Sequence, residues 1–360
     1  MREKQMFIYK NTHFIEVIRA ISDLKYGIPV VLHNGSKRIL VISVERASEE
    51  LFTKLKILLP GMYLTITKQR ASFLLKDTCD NNCKISCENM NYDDVQKMVF
   101  ALSFRKNSRK FINNTELEDK ALILMKSAEL IPAAFISEIH PNLKMDFSVN
   151  DLNVDYINDY LSHADDKLKE MCSADLNLKL AKGEIKAFRS EFSKDHYAVI
   201  IHPKKQNSAI PFVRVHSSCF TGDLLASIKC DCFDQLQNAI KIMSEKGGGI
   251  ILYLNQEGRG IGLTNKIRVY KTQSLKFDTV EANENLGLEG DSRGFFIAAK
   301  ILKLLGISRI KLLSNNPAKV EDLIKEGIAV ESIISHQFFN KKIKKYYRAK
   351  AQKFNHNIDY

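Results

Sequence analysis

The chain has 360 residues, 45% of them hydrophobic, and a formal net charge of +12. That length holds two domains; no apolar run reaches membrane-spanning length and MREKQMFIYKN lacks the apolar core of a secretory signal, so a soluble, cytoplasmic protein is expected. The lysines are dispersed except in FNKKIKKYYRAKAQK and no nucleic-acid fold motif accompanies them. The charge therefore reads as solvated surface and a field favouring a polyanionic small molecule over nucleic acid. From the N-terminus, FIEVIRAISDLKYG predicts an amphipathic helix, IPVVLHN and RILVISVE two apolar strands, and SEELFTKLKILLPG a helix stopped by Pro-Gly. Next comes CDNNCKISC, where Cys79, Cys83 and Cys87 lie four apart; the pattern reads as a surface loop with free thiols, or as a helical face holding a second metal. ALILMKSAEL predicts a helix and IPAAFISEI a buried strand. The polar, acidic stretch from Pro141 to Leu178 predicts the junction, giving domains 1–145 and 176–360 with a linker over 146–175. The fold class expected is α/β in two domains, the first α+β and the second α/β.

The second domain carries the chemistry-bearing residues. Cys219, Cys230 and Cys232 sit in VRVHSSCFTGDLLASIKCDCFDQL. Seven cysteines, an odd count in a chain without a signal, favour reduced thiols and metal ligation over disulfides. Three thiolates satisfy three of zinc's four positions and leave the last for water, and zinc lowers the pKa of that water to about 7. His216, the nearby fourth candidate, would have to fold back across a very short span. After the apolar strand GIILYL, the run from Gln256 to Gly262 has glycines that let backbone N–H groups approach a ligand, and Arg259 offers a planar fork for phosphate. GDSRGF and SNNPAKVEDL follow. This order points to metal-assisted hydrolysis of a nucleotide.

From about Leu176 onward the chain resembles GTP cyclohydrolase II. The likeness rests on RVHSSCFTGD, CDCFDQL, YLNQEGRGIGL, NKIRVY, DTVEANENLG, GDSRGF, LLSNNPAKV and the spacing of Tyr346, Lys350 and His356, all in the family's order. The resemblance implies one Zn²⁺ per subunit on Cys219, Cys230 and Cys232, whose hydroxide opens the guanine imidazole ring and releases formate as the first step of riboflavin synthesis. It implies GTP contacts from Arg214, Val215, His216, Ser217, Ser218, Gln235, Glu257, Gly258, Arg259, Thr279, Ser314 and Lys319, with Glu257 suited to a guanine edge and Lys319 to phosphate. Asp291 matches the family's proton acceptor, Arg293 the residue that attacks the α-phosphate to expel pyrophosphate, and Tyr270 a tyrosine beside the ring-opening site. Because a guanidinium is protonated at all ordinary pH, stabilising the departing charge is the plainer role for Arg293. Mg²⁺ with the triphosphate and a homodimer are implied as well.

Four positions depart from the family pattern. Ser218 stands for Glu, Ser274 for Asp, Gly294 for an acidic residue and Ser314 for Thr. They leave open a paralogue that takes another nucleobase or binds without turnover. The N-terminal half resembles dihydroxybutanone phosphate synthase in its sheet segments, but its first loop, His33 to Lys37, has no carboxylate for magnesium. There is no Arg-Pro-Gly-His turn, and Asn114-Thr115-Glu116 replaces His-Thr-Glu. A retained fold without synthase activity is expected there.

Overall fold

The structure, a computed structural model, describes residues 12–35, 37–103, 109–140, 149–163, 167–190, 194–204, 208–273, 279–289, 291 and 293–335. The chain divides into two compact units, Met1–Ala164 with Asn283–Glu289, and Asp165–Ala282 with Gly290–Tyr360.

The first unit runs α1 (Thr12–Tyr26), β1 (Val30–Asn34), β2 (Lys37–Ser43), α2 (Glu49–Leu58), β3 (Tyr63–Ile66), α3 (Lys68–Leu75), β4 (Cys83–Ser86), α4 (Tyr92–Phe100), β5 (Ile112–Asn113), α5 (Glu116–Ser127), β6 (Ala133–Glu138), β7 (Asn150–Asn153) and α6 (Asp155–His163). Its seven strands lie in the order β5-β4-β3-β6-β2-β1-β7. All neighbours are antiparallel except β1 and β7, which pair in parallel from Val30↔Asn150 to His33↔Asn153. In α1, Phe14, Val17, Ala20 and Leu24 are buried at helical spacing, and Val17, Ala20 and Leu24 join Val30, Leu32, Val41 and Ile136 in one core with Leu117, Ala121 and Leu124 of α5. Helix starts are set locally: the Ser48 hydroxyl accepts from Leu51 N–H, and Asn91 with Asp94 forms a capping box.

Within the stretch expected to be a linker, 146–175, the described residues form regular elements. β7 and α6 belong to the first unit, and the rest of 146–175 includes the start of β8 (Lys169–Asn177). The reason is burial: Leu152, Val154 and Ile157 are each almost fully enclosed in the first core despite their acidic neighbours. CDNNCKISC is neither a helix nor wholly surface, since Cys83 opens β4 and Cys83 and Cys87 are both buried. Cys79 and Cys83 face each other at 3.4 Å between sulfurs. Burial pushes the Cys83 thiol up to about 12, helped by Cys79, and the Cys87 thiol up to about 12 as well. Among the described residues the only three-ligand group is Cys219, Cys230 and Cys232, so the three N-terminal thiols are not gathered for a metal.

The second unit runs β8, β9 (Lys182–Arg189), β10 (His196–Ile201), β11 (Phe212–Ser217), α7 (Cys232–Lys246), β12 (Gly249–Leu254), α8 (Leu263–Gln273), α9 (Thr279–Asn285, whose last residues belong to the first unit), α10 (Phe296–Leu304), β13 (Arg309–Leu313), α11 (Pro317–Lys325) and β14 (Ala329–Ile334). The sheet order is β14-β13-β11-β12-β10-β9-β8. The first four are parallel, and β12, β10, β9 and β8 continue as an antiparallel meander. Alternation along β11 sends Val213 and Val215 into the core shared with α10, while Phe212 joins Ala239 and Met243 of α7 on the other face. Arg214 and His216 follow Phe212 in that alternation and are buried polar residues. The loops leaving the carboxyl ends of β11, β12 and β13 carry the motifs read from the sequence, which is where open parallel sheets place their ligand crevice.

Candidate metal and nucleotide site

The metal-capable group forms where β11 ends and α7 begins. Cys219 follows β11 by two residues, and Cys230 and Cys232 flank the start of α7; the three sulfurs lie within 4.8 Å of one another. Gly222, in the π-helical turn Phe220–Leu224, makes room for them, since a Cβ there would meet the sulfurs of Cys219 and Cys230 at 2.9 Å each. The thiols polarise one another: hydrogen bonds from Cys230 and Cys232, reinforced by Lys266, hold Cys219 far below the ordinary thiol range, while Cys219 pushes Cys230 up to about 11. Three adjacent thiols cannot all ionise without a cation, and a soft divalent metal supplies one. The donor set fits such an ion.

His216 is not its fourth ligand. Its Nε2 lies 3.0 Å from Asp223 Oδ1, its ring stacks on Tyr253 at 5.7 Å, and burial depresses its pKa, keeping the ring neutral. Asp223 also accepts from the Cys219 backbone N–H at 2.9 Å and from the Tyr253 hydroxyl at 2.9 Å. One carboxylate therefore ties the ends of β11 and β12 to the first cysteine, in the manner of the outer-shell groups that orient metal ligands. Lys266 donates to Cys219 Sγ at 3.0 Å and to Glu257 Oε1 at 2.8 Å. Glu257 accepts besides from Phe220 N–H at 2.6 Å and Gly258 N–H at 3.0 Å, so the carboxylate matched to a guanine edge braces the cysteine loop.

The glycine-rich run forms a tight turn, Glu257–Gly260, with Gly258 at φ +63°, Arg259 at φ +65° and Gly260 at φ +93°. For Arg259 this left-handed backbone costs about 1–2 kcal/mol, and such strain persists where a site requires it. The Tyr270 hydroxyl meets Thr221 Oγ1 at 3.0 Å. Burial raises its pKa, opposed by Thr221 and Lys266, which keeps it a phenol. The loop before α10 holds Asp291 and Arg293 as a forked ion pair: Arg293 Nε donates to Oδ1 at 2.8 Å and Nη2 to Oδ2. Burial works against the Asp291 charge, but Arg293 outweighs it and holds the carboxyl below the usual range.

The β11 end joins this pair to the rest. Arg293 Nη1 donates to Ser217 Oγ at 3.4 Å, Ser217 Oγ donates to Gln256 Oε1 at 3.3 Å, and Gln256 Nε2 donates to the Gly294 carbonyl at 2.7 Å. Gln235 accepts from Arg214 and donates to Asp231 at 2.7 Å. Lys319 is buried with its ammonium 2.7 Å from the Val215 carbonyl, and Ser314 is buried with Oγ accepting from Asn316 N–H at 3.1 Å. Thr279 opens α9. Arg214 Nε, His216 Nδ1 and Ser218 Oγ are buried without a hydrogen-bond partner among the described residues. Ser274, Tyr346, Lys350 and His356 lie outside the described residues. Asp223, Gln256 and Lys266 were not singled out from the sequence, although all three stand inside the quoted motifs RVHSSCFTGD, YLNQEGRGIGL and NKIRVY.

A mixed sheet whose parallel strands end beside a three-thiol group able to hold a metal and a forked Asp-Arg pair is the arrangement of an α/β enzyme with a candidate metal centre. The family profile for GTP cyclohydrolase II matches residues 169–335. The GTP cyclohydrolase-2 of Xylella fastidiosa (strain 9a5c) is 32% identical over 358 residues, covering 98% of this chain and 89% of that protein. The GTP cyclohydrolase-2 of Azospirillum brasilense is 39% identical over 248 residues, 66% of this chain, and the match spans 64% of that relative's length. A solved two-domain 3,4-dihydroxy-2-butanone 4-phosphate synthase from A. baumannii, RibBX, aligns with 89% of this chain and 99% of its own at 16% identity and a TM-score of 0.32. The chain belongs to the GTP cyclohydrolase II family. Among the described residues no helix is long and apolar enough to cross a membrane.

Proposed function

We propose that the protein is a zinc-dependent GTP cyclohydrolase II that opens the guanine imidazole ring and releases formate and pyrophosphate, the entry step to riboflavin. The observation that carries this reading is the placement of three sulfurs within 4.8 Å of one another on loops that the Ser217 hydroxyl connects to the Asp291-Arg293 pair. Cys219, Cys230 and Cys232 hold the metal, which when bound supplies an acidified water for hydrolysis. Asp223 and Lys266 fix Cys219, and Lys266 and Phe220 N–H fix Glu257. Tyr270, a phenol by virtue of its burial, can give or relay a proton at its hydroxyl.

Arg214, His216 and Ser218 offer the orphaned polar atoms that a bound nucleotide would meet, alongside Val215, Ser217 and Gln235. The left-handed turn presents Gly258 and Arg259, and Thr279, Ser314 and Lys319 complete the GTP set. Magnesium comes with the triphosphate in this proposal. Arg293, paired with Asp291, stabilises the charge that develops as pyrophosphate leaves, and Asp291 accepts the proton. Assembly as a cytoplasmic homodimer belongs to the same proposal through the family resemblance. The first unit is proposed to lack synthase activity: Asn114, standing where that chemistry needs His, is engaged with Thr65 at 2.8 Å and Asp119 at 3.0 Å.

Cys230→Ser tests the site. The variant is expected to lose zinc and GTP turnover together; full turnover with stoichiometric metal would remove Cys230 from the site. The departures at Ser218 and Gly294 keep one second reading in view, a different nucleobase substrate, because Ser218 Oγ is among the unpartnered atoms. Turnover of another purine nucleotide faster than GTP would favour it.

A further inference from the structure

One piece of the cyclohydrolase sequence is built into the first unit. Asn283–Glu289, inside the motif DTVEANENLG and its continuation, packs with Met1–Ala164. Arg70, on α3 and only 2% exposed, organises it. Its Nη1 donates to the Asn285 carbonyl, its Nε to the Met98 carbonyl at 2.7 Å, and its Nη2 to the carbonyls of Lys97 at 3.2 Å and Ala101 at 2.9 Å. Asn285 ends α9, and Lys97, Met98 and Ala101 lie at the end of α4, so one guanidinium joins the carbonyl ends of two helices, where a cation is stabilised by both dipoles.

Thr67, the N-cap of α3, donates its hydroxyl to the Gly287 carbonyl at 2.8 Å. Gly287 has φ +77°, and a Cβ there would lie 2.7 Å from Thr67 Oγ1 and 3.1 Å from Arg70 Cβ, so only glycine admits this approach. Lys126 pairs with Glu289, and Leu286 and Leu288 are buried. Asp291 and Arg293 follow Glu289 by two and four residues.

We propose that the first unit serves the cyclohydrolase reaction as a clamp, with Arg70 and Thr67 as positioning residues that fix Asn283–Glu289 and thereby the loop bearing Asp291 and Arg293. The inference rests on the reading of that pair given above. It assigns the unit a part in catalysis that does not depend on synthase chemistry. A buried guanidinium serving four carbonyls suits the task, since a lysine has too few donors in the wrong geometry to replace it.

The test uses the full-length, zinc-loaded protein and follows formate and pyrophosphate separately. Arg70→Ala is expected to lower kcat about 10- to 100-fold through misplacement of the pair, with KM for GTP and zinc content near wild type and faster amide exchange in the peptide spanning 283–293. Arg70→Lys should recover part of the rate, and millimolar guanidinium added to Arg70→Ala should recover more. Should Arg70→Ala not fold, Thr67→Val carries the test with Thr67→Ser as its rescue. Wild-type kcat in a folded Arg70→Ala or Thr67→Val protein, or loss of rate only in step with lost zinc, would overturn the clamp. If the wild-type protein does not turn over GTP, the cyclohydrolase reading falls, and unchanged exchange of 283–293 in the variants would then sink the clamp by itself.

Discussion

The Lys266 ammonium lies 3.0 Å from the sulfur of Cys219 and 2.8 Å from the carboxylate of Glu257, bridging a proposed metal ligand to the glycine-rich turn. Both partners hold its pKa up against the burial that would lower it, so it stays a cation. Lys266→Met keeps the apolar stem and removes the charge. It should weaken zinc affinity about 10- to 100-fold, as loss of an outer-shell partner does, read by competition with a chromophoric chelator. An unchanged zinc constant would show that Lys266 matters only for packing.

Asp223 gathers His216, Tyr253 and the Cys219 N–H. Asp223→Asn preserves shape but leaves at least one of these donors unmet, at a cost of about 1–3 kcal/mol. The second unit should melt earlier, and His216, freed of its partner, should change its proton resonance. A melting curve that overlays the wild type would contradict the hub.

Arg293→Ala exposes Asp291 to the opposite balance. With the guanidinium gone, burial, the largest influence on the carboxyl, is opposed by Arg259 and the backbone N–H of position 293 without the side-chain fork, so the pKa rises. The acidic limb of the pH-rate profile should therefore shift to higher pH, while pyrophosphate release falls about 100- to 1,000-fold. A slow enzyme with an unmoved acidic limb would separate Asp291 from the rate.

Much of the local architecture was legible. The apolar patterns that became α1, β1, β2, α2, α5, β6 and β12 each carry a clear period or an uninterrupted buried run, the cysteines and the glycine-rich turn mark the candidate site by residue type, and GDSRGF enters it through the family resemblance. What was hidden is non-local. β7 reads as a polar loop because its pairing with β1 lies more than a hundred residues away in sequence, and only Leu152 and Val154 mark it. Nothing in the sequence around Arg70 marks it, because its four carbonyl partners come together only when α4 and Asn285 are folded beside it. The resemblance implies Glu257 as a GTP contact, and the structure shows its oxygens meeting Phe220, Gly258 and Lys266.

In the first unit Glu118 is almost fully buried against Lys84, with Thr115 N–H donating at 2.7 Å. Burial raises its pKa, but Lys84 and Thr115 outweigh that and leave it lowered. A carboxyl with a depressed folded pKa contributes stability above the ordinary glutamate value that is lost as pH falls through the folded value. The unit should thus lose stability progressively below about pH 4.5. Glu118→Gln should lose about 3 kcal/mol at neutral pH by stranding Lys84 and show a flatter acid dependence, checked by urea unfolding at several pH values. Identical acid profiles would place the acid-sensitive group elsewhere.

The products of GTP turnover test the cyclohydrolase reading most directly. Purified, zinc-loaded protein incubated with GTP and magnesium should release formate and pyrophosphate together and yield the ring-opened pyrimidine. Intact GTP after incubation with protein carrying one zinc per subunit would contradict it.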